Sequence, residues 1–579
     1  MAIKPLLFYL IILYTVSVNS QSCNCDITLT NLKSSSLNLI WASNITYSPG
    51  DVICIPAGNY SGFRFYDFEG SATQPLTIKN CGGKVVITES MYSGISFQRS
   101  KYIHLTGTGD ENEAYGIEIA GTGNGSMGIY VENLSSDIEI DNIEISNAGF
   151  AGIMAKTDPQ CSKPLTWRSN GFVLKNLNIH HNYIHNTGGE GIYVGFTGGY
   201  KIKTNRSCSG TPIFGHWLEN IDIHHNVLEF IGWDGIQLNL VHNNGKIRDN
   251  YISNYGLENV YYQNFAMSIG GGEYEVNHNF ILNGLQEQGR GIQIISGESG
   301  TKVFDNVFLR PKLHGIFLHN RHVFDDVNDG YYITNNTIIE PENSGVFYNT
   351  KITETNDPSI LYNSQDVVSS YFTNNLIVDP GNDYEGGNTW KQNQESYFDF
   401  NNRSNRDSLL QNIVSNIMTR EADTLGLTNI LNGDYSQITQ LSDLYDINSN
   451  ISTWGTTDNT KLASKISKRP NYYGASDFQF AKMLPSKSKL LDQNKSNKDS
   501  RPIAKETVIY PNPTNSSFQI RSKYSKNPIV ELITMDGKIL YNTTYSIGTP
   551  ISVQNYTSGL YFVRIISKEK SEIHKLIIQ

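Results

Sequence analysis

Four residues able to move protons or hold charge occupy the same place in successive copies of a repeated motif. Each copy contains a Gly-Ile pair, and the residue before the glycine is Glu190, Asp234, Arg290 or His314 in four of the copies. If the copies stack as neighbouring strands, Glu190 and Asp234 lie about 5 Å apart. Two carboxyl groups at that distance can act as acid and nucleophile in a retaining glycosidase, or can share a Ca²⁺ ion. Arg290 or His314 can take the proton in a β-elimination beside a uronate carboxylate, or stabilise the enolate.

A purely structural explanation of this column stays open. Acidic residues before glycine often accept hydrogen bonds from backbone amides in turns. Arg290 and His314 also suit an ordinary polar surface. The sequence alone does not decide between these explanations.

The repeated motif is best preserved in residues 178–194 and 222–238. Asn-Ile-His-His-Asn at 178–182 recurs as Asp-Ile-His-His-Asn at 222–226. A Gly-Ile pair begins nine residues after the final asparagine of each segment. Weaker copies place their asparagines at Asn147, Asn250, Asn279, Asn306, Asn336 and Asn375. Steps of 24 to 44 residues between these asparagines, with short alternating apolar runs, predict a right-handed parallel β-helix with three short strands per coil.

The recurrent asparagine and the adjacent histidines are expected to be structural. Asparagine tolerates the left-handed backbone of a tight turn, and stacked asparagine side chains can hydrogen-bond from coil to coil. We therefore predict an asparagine ladder. The flanking histidines, on the strand two corners away from the charged column, are His180, His181, His224 and His225.

Aromatic and basic residues near the column are consistent with a groove for a polymer. The insertions 155–172 and 195–218 are expected to form its walls. Sugar rings stack on aromatic side chains, and the basic residues of the insertions (Lys156, Lys201, Lys203 and Arg206) favour an anionic glycan. The predicted substrate-binding residues are Lys156, Tyr193, Trp217, Trp233, Gln237 and Phe317.

Charge and the first residues indicate an exported protein. The chain has 579 residues and a formal net charge of −10, which argues against a nucleic-acid partner. Residues 1–20 have the pattern of a signal peptide, with Lys4 before an apolar run too short to span a membrane. No other stretch predicts a transmembrane segment. We expect a monomer, secreted or held at the outer-membrane cell surface.

Six cysteines in an exported chain predict disulfides. Cys54 and Cys81 flank the first coil, whereas Cys161 and Cys208 fall in insertions that leave the same corner of consecutive coils. We predict the pairs Cys54–Cys81 and Cys161–Cys208, the second of which would stiffen two loops. No cysteine or histidine pair at the spacing of a zinc site is recognisable, so no zinc is expected.

Two segments resemble known families. Residues 48–87, which open Ser-Pro-Gly-Asp-Val-Ile-Cys-Ile-Pro and close Lys-Val-Val-Ile, resemble the first coils of pectate-lyase-like right-handed β-helix proteins, which implies that fold and a cap over its edge. Residues 506–579 contain Tyr-Pro-Asn-Pro-Thr, Met-Asp-Gly-Lys and Gly-Leu-Tyr-Phe-Val-Arg-Ile, and resemble the C-terminal sorting domain of Bacteroidetes type IX secretion. That resemblance implies passage across the outer membrane by the type IX machinery, then removal of the domain and release or surface attachment.

The remaining boundaries follow composition and pattern. We expect the β-helix in 21–380, an irregular β-helix end or insertion in 381–485, a linker in 486–505 and a small β-sandwich in 506–579. Leu409, Ile413 and Ile417 recur four residues apart and predict one helix near 407–419. The predicted fold class is all-β.

The leading functional interpretation is cleavage of an acidic, uronate-containing polysaccharide by β-elimination. In that interpretation Glu190 and Asp234 handle Ca²⁺ or the substrate carboxylate, and Arg290 or His314 is the base. A second interpretation, supported almost as well, is a glycoside hydrolase that uses Glu190 and Asp234. The third is a protein without catalytic activity, which binds glycan at the cell surface. No cofactor other than Ca²⁺ is expected.

Overall fold

The chain is described by a computed structural model in two units, residues 1–490 and 491–579. The described residues are 23–88, 90–198, 204–283, 288–296, 300–322, 330–353, 355, 369–378, 380–381, 398–401, 412–414, 416–419, 453–454, 507–510, 516–522, 528–534, 539–545, 549–557, 559–566 and 571–578. The predicted signal peptide (1–20) and linker (486–505) lie outside them, as do Lys201 and Lys203.

The first unit is a right-handed parallel β-helix, as predicted. One face of the coils is a twelve-stranded parallel sheet, here called the site sheet. Its strands are Asn38–Trp41, Phe63–Tyr66, Ser93–Gln98, Met127–Glu132, Ile153–Ala155, Ile192–Val194, Ile236–Asn239, Phe265–Gly270, Arg290–Ile295, Lys312–His319, Ser344–Asn349 and Phe398–Phe400.

The other two faces belong to one twenty-four-stranded sheet, because Val52–Tyr60 and Leu76–Ile87 are long enough to run along both faces. The second face adds Ile27–Thr28, Lys101–Thr106, Ser136–Asp141, Val173–His180, Trp217–His224, Val241–Arg248, Tyr274–Asn277, Lys302–Phe304, Tyr332–Thr334, Tyr371–Thr373 and Ile413–Val414. The third face consists of Ile117–Ile119, Ile143–Ser146, Tyr183–Thr187, Val227–Ile231, Tyr251–Ser253, Phe280–Leu282, Val307–Leu309, Thr337–Ile339, Leu376–Val378 and Asn416–Thr419, with Thr453–Trp454 antiparallel to the last. Smaller elements are the 3₁₀ turns Ala42–Asn44, Pro164–Thr166 and Arg168–Asn170 and the hairpin Ser207–Cys208 with Thr211–Pro212.

The period-two alternation of each strand divides core from surface. Ile192 and Val194 are fully buried in the central core, whereas Tyr193 between them packs in a separate cluster outside it. Because every strand stacks on its equivalent in the next coil, the same alternation repeats along the solenoid and builds one continuous apolar column.

The predicted asparagine ladder is confirmed. Successive side chains donate Nδ2–H to Oδ1 of the next at 2.9–3.1 Å, through Asn182, Asn226, Asn250, Asn279, Asn306, Asn336, Asn375 and Asn416. Two details of the prediction are wrong. In the coils where it is described, the residue before the ladder asparagine has the left-handed backbone, as His181 and His225 do. Asn147 is not in the ladder, because the ladder's first link is the Ile143 N–H that donates to Asn182.

The predicted helix near 407–419 is wrong where the structure describes that segment. Ile413–Val414 and Asn416–Thr419 are strands, and Ile417 pairs with Leu376 of the preceding coil. The i, i+4 spacing of isoleucines was therefore overridden by coil stacking. Parallel pairing also continues past residue 380, through Phe398–Phe400 and Asn416–Thr419.

One predicted disulfide is confirmed and the other is wrong. Cys161 is bonded to Cys208, as expected from two insertions at one corner. Cys54 and Cys81 are instead bonded to Cys25 and Cys23 respectively. The strand Ile27–Thr28 pairs with residues 53 and 54 and brings the N-terminal cysteines alongside, whereas Cys54 is in register with Lys79, two residues short of Cys81.

The second unit is a small antiparallel β-sandwich, as predicted. Ile529–Ile533 lies between Ile539–Thr544 and Gly559–Ile566, and Ser571–Ile578 completes this sheet. Thr507–Tyr510, Ser517–Ser522 and Ile551–Ser552 form the other. Side chains from both sheets share one apolar cluster, which includes Phe518, Ile551, Val530, Val563 and Leu576.

Candidate functional site

The outer surface of the site sheet between residues 151 and 349, here called the site face, carries the charged column. The cores of successive strands are in register, for example Ile192 with Ile236 and Ile292 with Ile316. The column residues in coil order are Ala151, Glu190, Asp234, Phe265, Arg290, His314 and Ser344. They lie outside the central core: Ala151 packs with Met154 and Tyr193, and Phe265 stacks on Phe317 at 6.5 Å.

A second column runs beside the first, at the central outward position of each strand. It comprises Met154, Tyr193, Gln237, Ser268, Gln293, Phe317 and Phe347. Three residues predicted to bind substrate (Tyr193, Gln237 and Phe317) therefore lie on the same face as the predicted catalytic residues. This alignment follows from coil stacking, because the cores of these strands stay in register from coil to coil.

Glu190 and Asp234 lie on adjacent coils, and both side chains are buried. Gly191 N–H donates to the carbonyl of Asp234 at 3.0 Å, so the two backbones are hydrogen-bonded neighbours. Phe265 N–H donates to Asp234 Oδ1 at 2.7 Å, which is the structural role that carboxylates before glycine often have. Glu190 Oε2 and Asp234 Oδ2 have no hydrogen-bond partner within the described part of the chain.

Burial raises the pKa of both carboxyl groups. Desolvation raises the pKa of Glu190 to about 7, although its own backbone amide and the nearby Lys156 favour the anion. Desolvation also raises the pKa of Asp234 well above its usual range. The Phe265 N–H and the charge of Arg290 oppose that rise, and the charge of Glu190 adds to it. Two carboxyl groups with raised pKa values therefore sit side by side.

Strands of the same sheet carry further buried polar atoms without a hydrogen-bond partner in the described chain. Besides the two carboxyl oxygens, Gln237 Oε1, Asn239 Nδ2 and Arg290 Nε are buried without a partner among the described residues. Buried polar groups normally have partners, so a group without them fits a site that receives hydrogen bonds from a ligand. Three of these atoms are hard oxygens of the kind that Ca²⁺ selects.

Arg290 and His314 differ in what they can do. The Arg290 guanidinium lies 5.4 Å from the Phe265 ring centroid, and burial lowers its pKa. The strand register shifts after Arg290, which pairs with Lys312 rather than with His314. His314 is hydrogen-bonded through Nδ1 to Ser344 Oγ at 2.7 Å, and burial lowers its pKa to about 3. His314 is therefore a neutral, packed imidazole.

The two edges of the site face carry different kinds of side chain, a lysine at one and aromatic rings at the other. Lys156 Nζ, from the first insertion, lies 4.2 Å from the Tyr193 ring centroid and 3.2 Å from Asp158 Oδ1. On the other side the Phe150 ring packs edge-on against Trp233 at 5.5 Å. Lys156 and Trp233 therefore lie at the edges of the site face, and their role in substrate binding stays a prediction.

Trp217 does not join the other predicted residues. It begins the strand Trp217–His224 on the second face of the coil, where it pairs with Val173. The Arg168 guanidinium lies 3.7 Å from its ring centroid. The second insertion returns to the second face at this residue, which the sequence pattern did not reveal.

Sequence reasoning missed a pair of exposed tyrosines. Tyr261 and Tyr262 lie in the loop before the strand Phe265–Gly270, with ring centroids 4.0 Å apart. The two residues are 73% and 42% exposed. Both tyrosines act to raise the pKa of Arg290. Two consecutive aromatic residues in a loop that leads into the site face were the available signal.

Comparison with known proteins identifies the C-terminal unit. Residues 508–579 match the secretion system C-terminal sorting domain, in agreement with the prediction for 506–579. The chain therefore carries a type IX sorting module, which directs secretion with surface attachment or release. Among the described residues, no helix is both long and apolar enough to cross a membrane. No curated protein matches the chain by sequence.

Solved structures similar to the chain include a lacto-N-biosidase, a pectate lyase and an α-1,3-glucanase. A GH136 lacto-N-biosidase from Eubacterium ramulus has 13% identity and a TM-score of 0.37, with 57% of this chain and 58% of that chain covered. Pectate lyase Pel9A has 11% identity and a TM-score of 0.30, with 60% and 76% covered. A GH87 α-1,3-glucanase catalytic domain has 12% identity and a TM-score of 0.19, with 68% and 69% covered. The chain thus spans 58% of the lacto-N-biosidase, and these similarities are too distant to assign an activity.

Proposed function

We propose that the protein is a secreted polysaccharide-cleaving enzyme whose catalytic groups are Glu190 and Asp234. The observation that supports this most is the pair itself: two buried carboxyl groups on adjacent coils, each with one oxygen that lacks a partner among the described residues. Neighbouring coils are about 5 Å apart, which matches the spacing of retaining rather than inverting glycoside hydrolases.

The neighbours of the pair support different roles for its two members. Lys156 favours the anion of Glu190, whereas the charge of Glu190 disfavours ionisation of Asp234. Glu190 therefore ionises first and acts as the nucleophile at the anomeric carbon. Asp234 keeps its proton and donates it to the departing glycosidic oxygen, then accepts a proton from water in the second step.

Substrate access requires a change in the covering side chains. Glu190 and Asp234 are 1% and 0% exposed. Phe150 lies against Gly189, the residue before Glu190, and also contacts Trp233. We propose that a bound sugar displaces the Phe150 ring and that Tyr261 and Tyr262 stack on a neighbouring sugar of the same polymer.

A lyase that acts on a uronate polymer is the second candidate, supported by Arg290. Burial lowers the pKa of Arg290, and its Nε lacks a partner among the described residues. Arg290 would bind the uronate carboxylate or take the α-proton. In this version Glu190, Asp234 and the oxygen of Gln237 would hold Ca²⁺, which would neutralise the substrate carboxylate.

The test is to incubate the purified protein with anionic and neutral polysaccharides, with and without a chelator. Ultraviolet absorbance of an unsaturated uronate and the release of reducing ends are followed together. Reducing ends alone, with a rate that rises with pH up to about 7 as Glu190 ionises, are expected for the hydrolase. A rise in both signals that the chelator abolishes would establish the lyase.

Variants connect the activity to the carboxyl pair. Glu190→Gln and Asp234→Asn should each abolish cleavage. Glu132→Gln is the matched control, because Glu132 is a buried carboxyl group on the same sheet whose oxygens bond to Tyr92 and Gln98. Polysaccharide binding without turnover in the wild-type protein would instead favour the glycan-binding alternative.

A further inference from the structure

A second cluster of ionisable side chains lies away from the site face. It is formed by His104, Glu139, Asp141 and His180, which belong to three successive strands on the second face of the coils. His104 Nε2 is 2.6 Å from Asp141 Oδ2, and His180 Nε2 is 2.8 Å from Glu139 Oε1. His180 Nε2 is also 3.7 Å from Asp141 Oδ2. One ligand atom each of His104, Glu139 and Asp141 lies within 4.8 Å of the other two, and His180 adjoins both carboxylates.

We propose that this cluster binds one divalent transition-metal ion, best matched by Zn²⁺. Two imidazole nitrogens and two carboxylate oxygens are a donor set that Zn²⁺ accepts in four-coordinate geometry. The nitrogen donors favour Zn²⁺, Ni²⁺ or Cu²⁺ over Ca²⁺ or Mg²⁺, which prefer oxygen ligands. Neighbouring ligand atoms around tetrahedral Zn²⁺ are about 3.3 Å apart, so a shift of about half an ångström opens the two short contacts.

The charge balance also suits a divalent cation. Glu139 and Asp141 bring two negative charges into one partly buried site, and the described salt bridges join neither of them to a lysine or arginine. The side chains of Asp141 and His180 are 6% and 14% exposed, whereas that of Glu139 is 40% exposed and leaves an entry route for the ion.

The surrounding residues can orient the ligands. Thr106 donates its hydroxyl hydrogen to Asp141 Oδ1, which leaves Oδ2 for the metal. His180 Nδ1 is 2.8 Å from His181 Nδ1. When the metal occupies Nε2 of His180, its Nδ1–H can donate to His181, which is the arrangement that fixes the tautomer of metal-bound histidines.

The next coil repeats the histidines without repeating the site. His224 stacks on His180 with ring centroids 4.8 Å apart, and His225 stacks on His181. The carboxylate of that coil, Asp222, is instead bound by Arg248 at 2.9 Å. Asp222 stands in register two coils after Glu139, so an arginine there binds the carboxylate, whereas a histidine contacts Glu139.

No short motif predicts this site, because its ligands come from three coils. The described chain has one other group of potential metal ligands, and its sulfur atoms are already bonded in disulfides: Cys23, Cys25 and Cys81. Zinc bound by the described residues would therefore be held by histidine and carboxylate.

The test is titration of the chelator-treated, dialysed full chain with ZnCl₂ in an isothermal calorimeter, with CaCl₂ as the comparison ion. One Zn²⁺ per chain is expected, and His104→Ala and Glu139→Gln should each weaken binding tenfold or more. His278→Ala is the matched control, since His278 faces the single carboxylate of Asp305 at 3.8 Å, and it should leave binding unchanged.

The visible absorption of bound Co²⁺ is a second measurement, which reports the coordination of the metal rather than its affinity. Co²⁺ bound by the wild-type chain should show the intense visible absorption of four-coordinate Co²⁺, and Glu139→Gln, a change at a half-exposed position, should alter it. Absence of zinc binding by the wild-type chain, or equal binding by His104→Ala and the control, would overturn the proposal. Thermal unfolding of each variant, measured without metal, shows that it is folded.

Discussion

The burial of Glu190 predicts an unusual pH dependence of stability. Its pKa is about 7 in the folded protein against an ordinary value of 4.5. Between these two values the folded state keeps a proton that the unfolded state has released, so the free energy of unfolding falls as pH rises. The contribution is fully present below pH 4.5 and is lost as pH passes about 7. The loss corresponds to about 3 kcal/mol.

Glu190→Gln isolates this contribution because glutamine has nearly the same shape and does not ionise. The variant should match the wild-type protein at pH 4 and be more stable by about 3 kcal/mol at pH 8. Urea unfolding followed by tryptophan fluorescence is the assay, since all 6 tryptophans precede residue 455 and report the β-helix unit. Glu111→Gln, at an exposed loop position, is the control for loss of one negative charge.

Two results would contradict this prediction. Equal stability of Glu190→Gln and the wild-type protein at pH 8 would mean that Glu190 ionises in the folded state without cost. A variant that is equally destabilised at both pH values would mean that the carboxyl group holds the turn through contacts that glutamine cannot make. If the variant is instead both more stable at pH 8 and inactive, the burial of Glu190 is a cost that the active site imposes on the fold.

Three further outcomes follow from named contacts. Replacing Cys161 and Cys208 together by serine should lower the free energy of unfolding by about 2–4 kcal/mol in urea titrations, because a closed loop of nearly fifty residues is released. Asn250→Leu should lower it by about 3 kcal/mol in the same assay, since the ladder asparagines on both sides lose a buried partner; an effect below about 0.5 kcal/mol would contradict the ladder's importance. Tyr261→Ala and Tyr262→Ala should each weaken polysaccharide binding about tenfold in affinity electrophoresis, whereas unchanged mobility would remove these rings from the substrate site.

The fold could be predicted because its information is local and repeated. The recurring asparagine and Gly-Ile pair set the coil length, and period-two alternation sets which residues face the core. Once the register is known, one rule places the charged column of Glu190, Asp234, Arg290 and His314 on one face. The bond between Cys161 and Cys208 followed from the same rule, because both insertions leave one corner.

Pairing that depends on segments outside the repeat could not be predicted. Cys54 and Cys81 are bonded to Cys25 and Cys23 because a short N-terminal strand packs beside the first full coil. Likewise, Ile413 and Ile417 have helical spacing, but stacking on the coil before them makes the segment extended. In both cases a contact distant in sequence outweighs the local pattern.

The solenoid, the face that carries the charged column and the C-terminal sorting module could therefore be predicted from the residues alone. The depth at which Glu190 and Asp234 are buried, and hence the direction in which their pKa values move, depends on the packing of the folded chain. The meeting of His104, Glu139 and Asp141, with His180 beside the two carboxylates, also emerges only from coil stacking, because these residues belong to three coils. The physical reason is that periodicity fixes the direction of a side chain from the coil, whereas desolvation and ligand geometry depend on every neighbour around it.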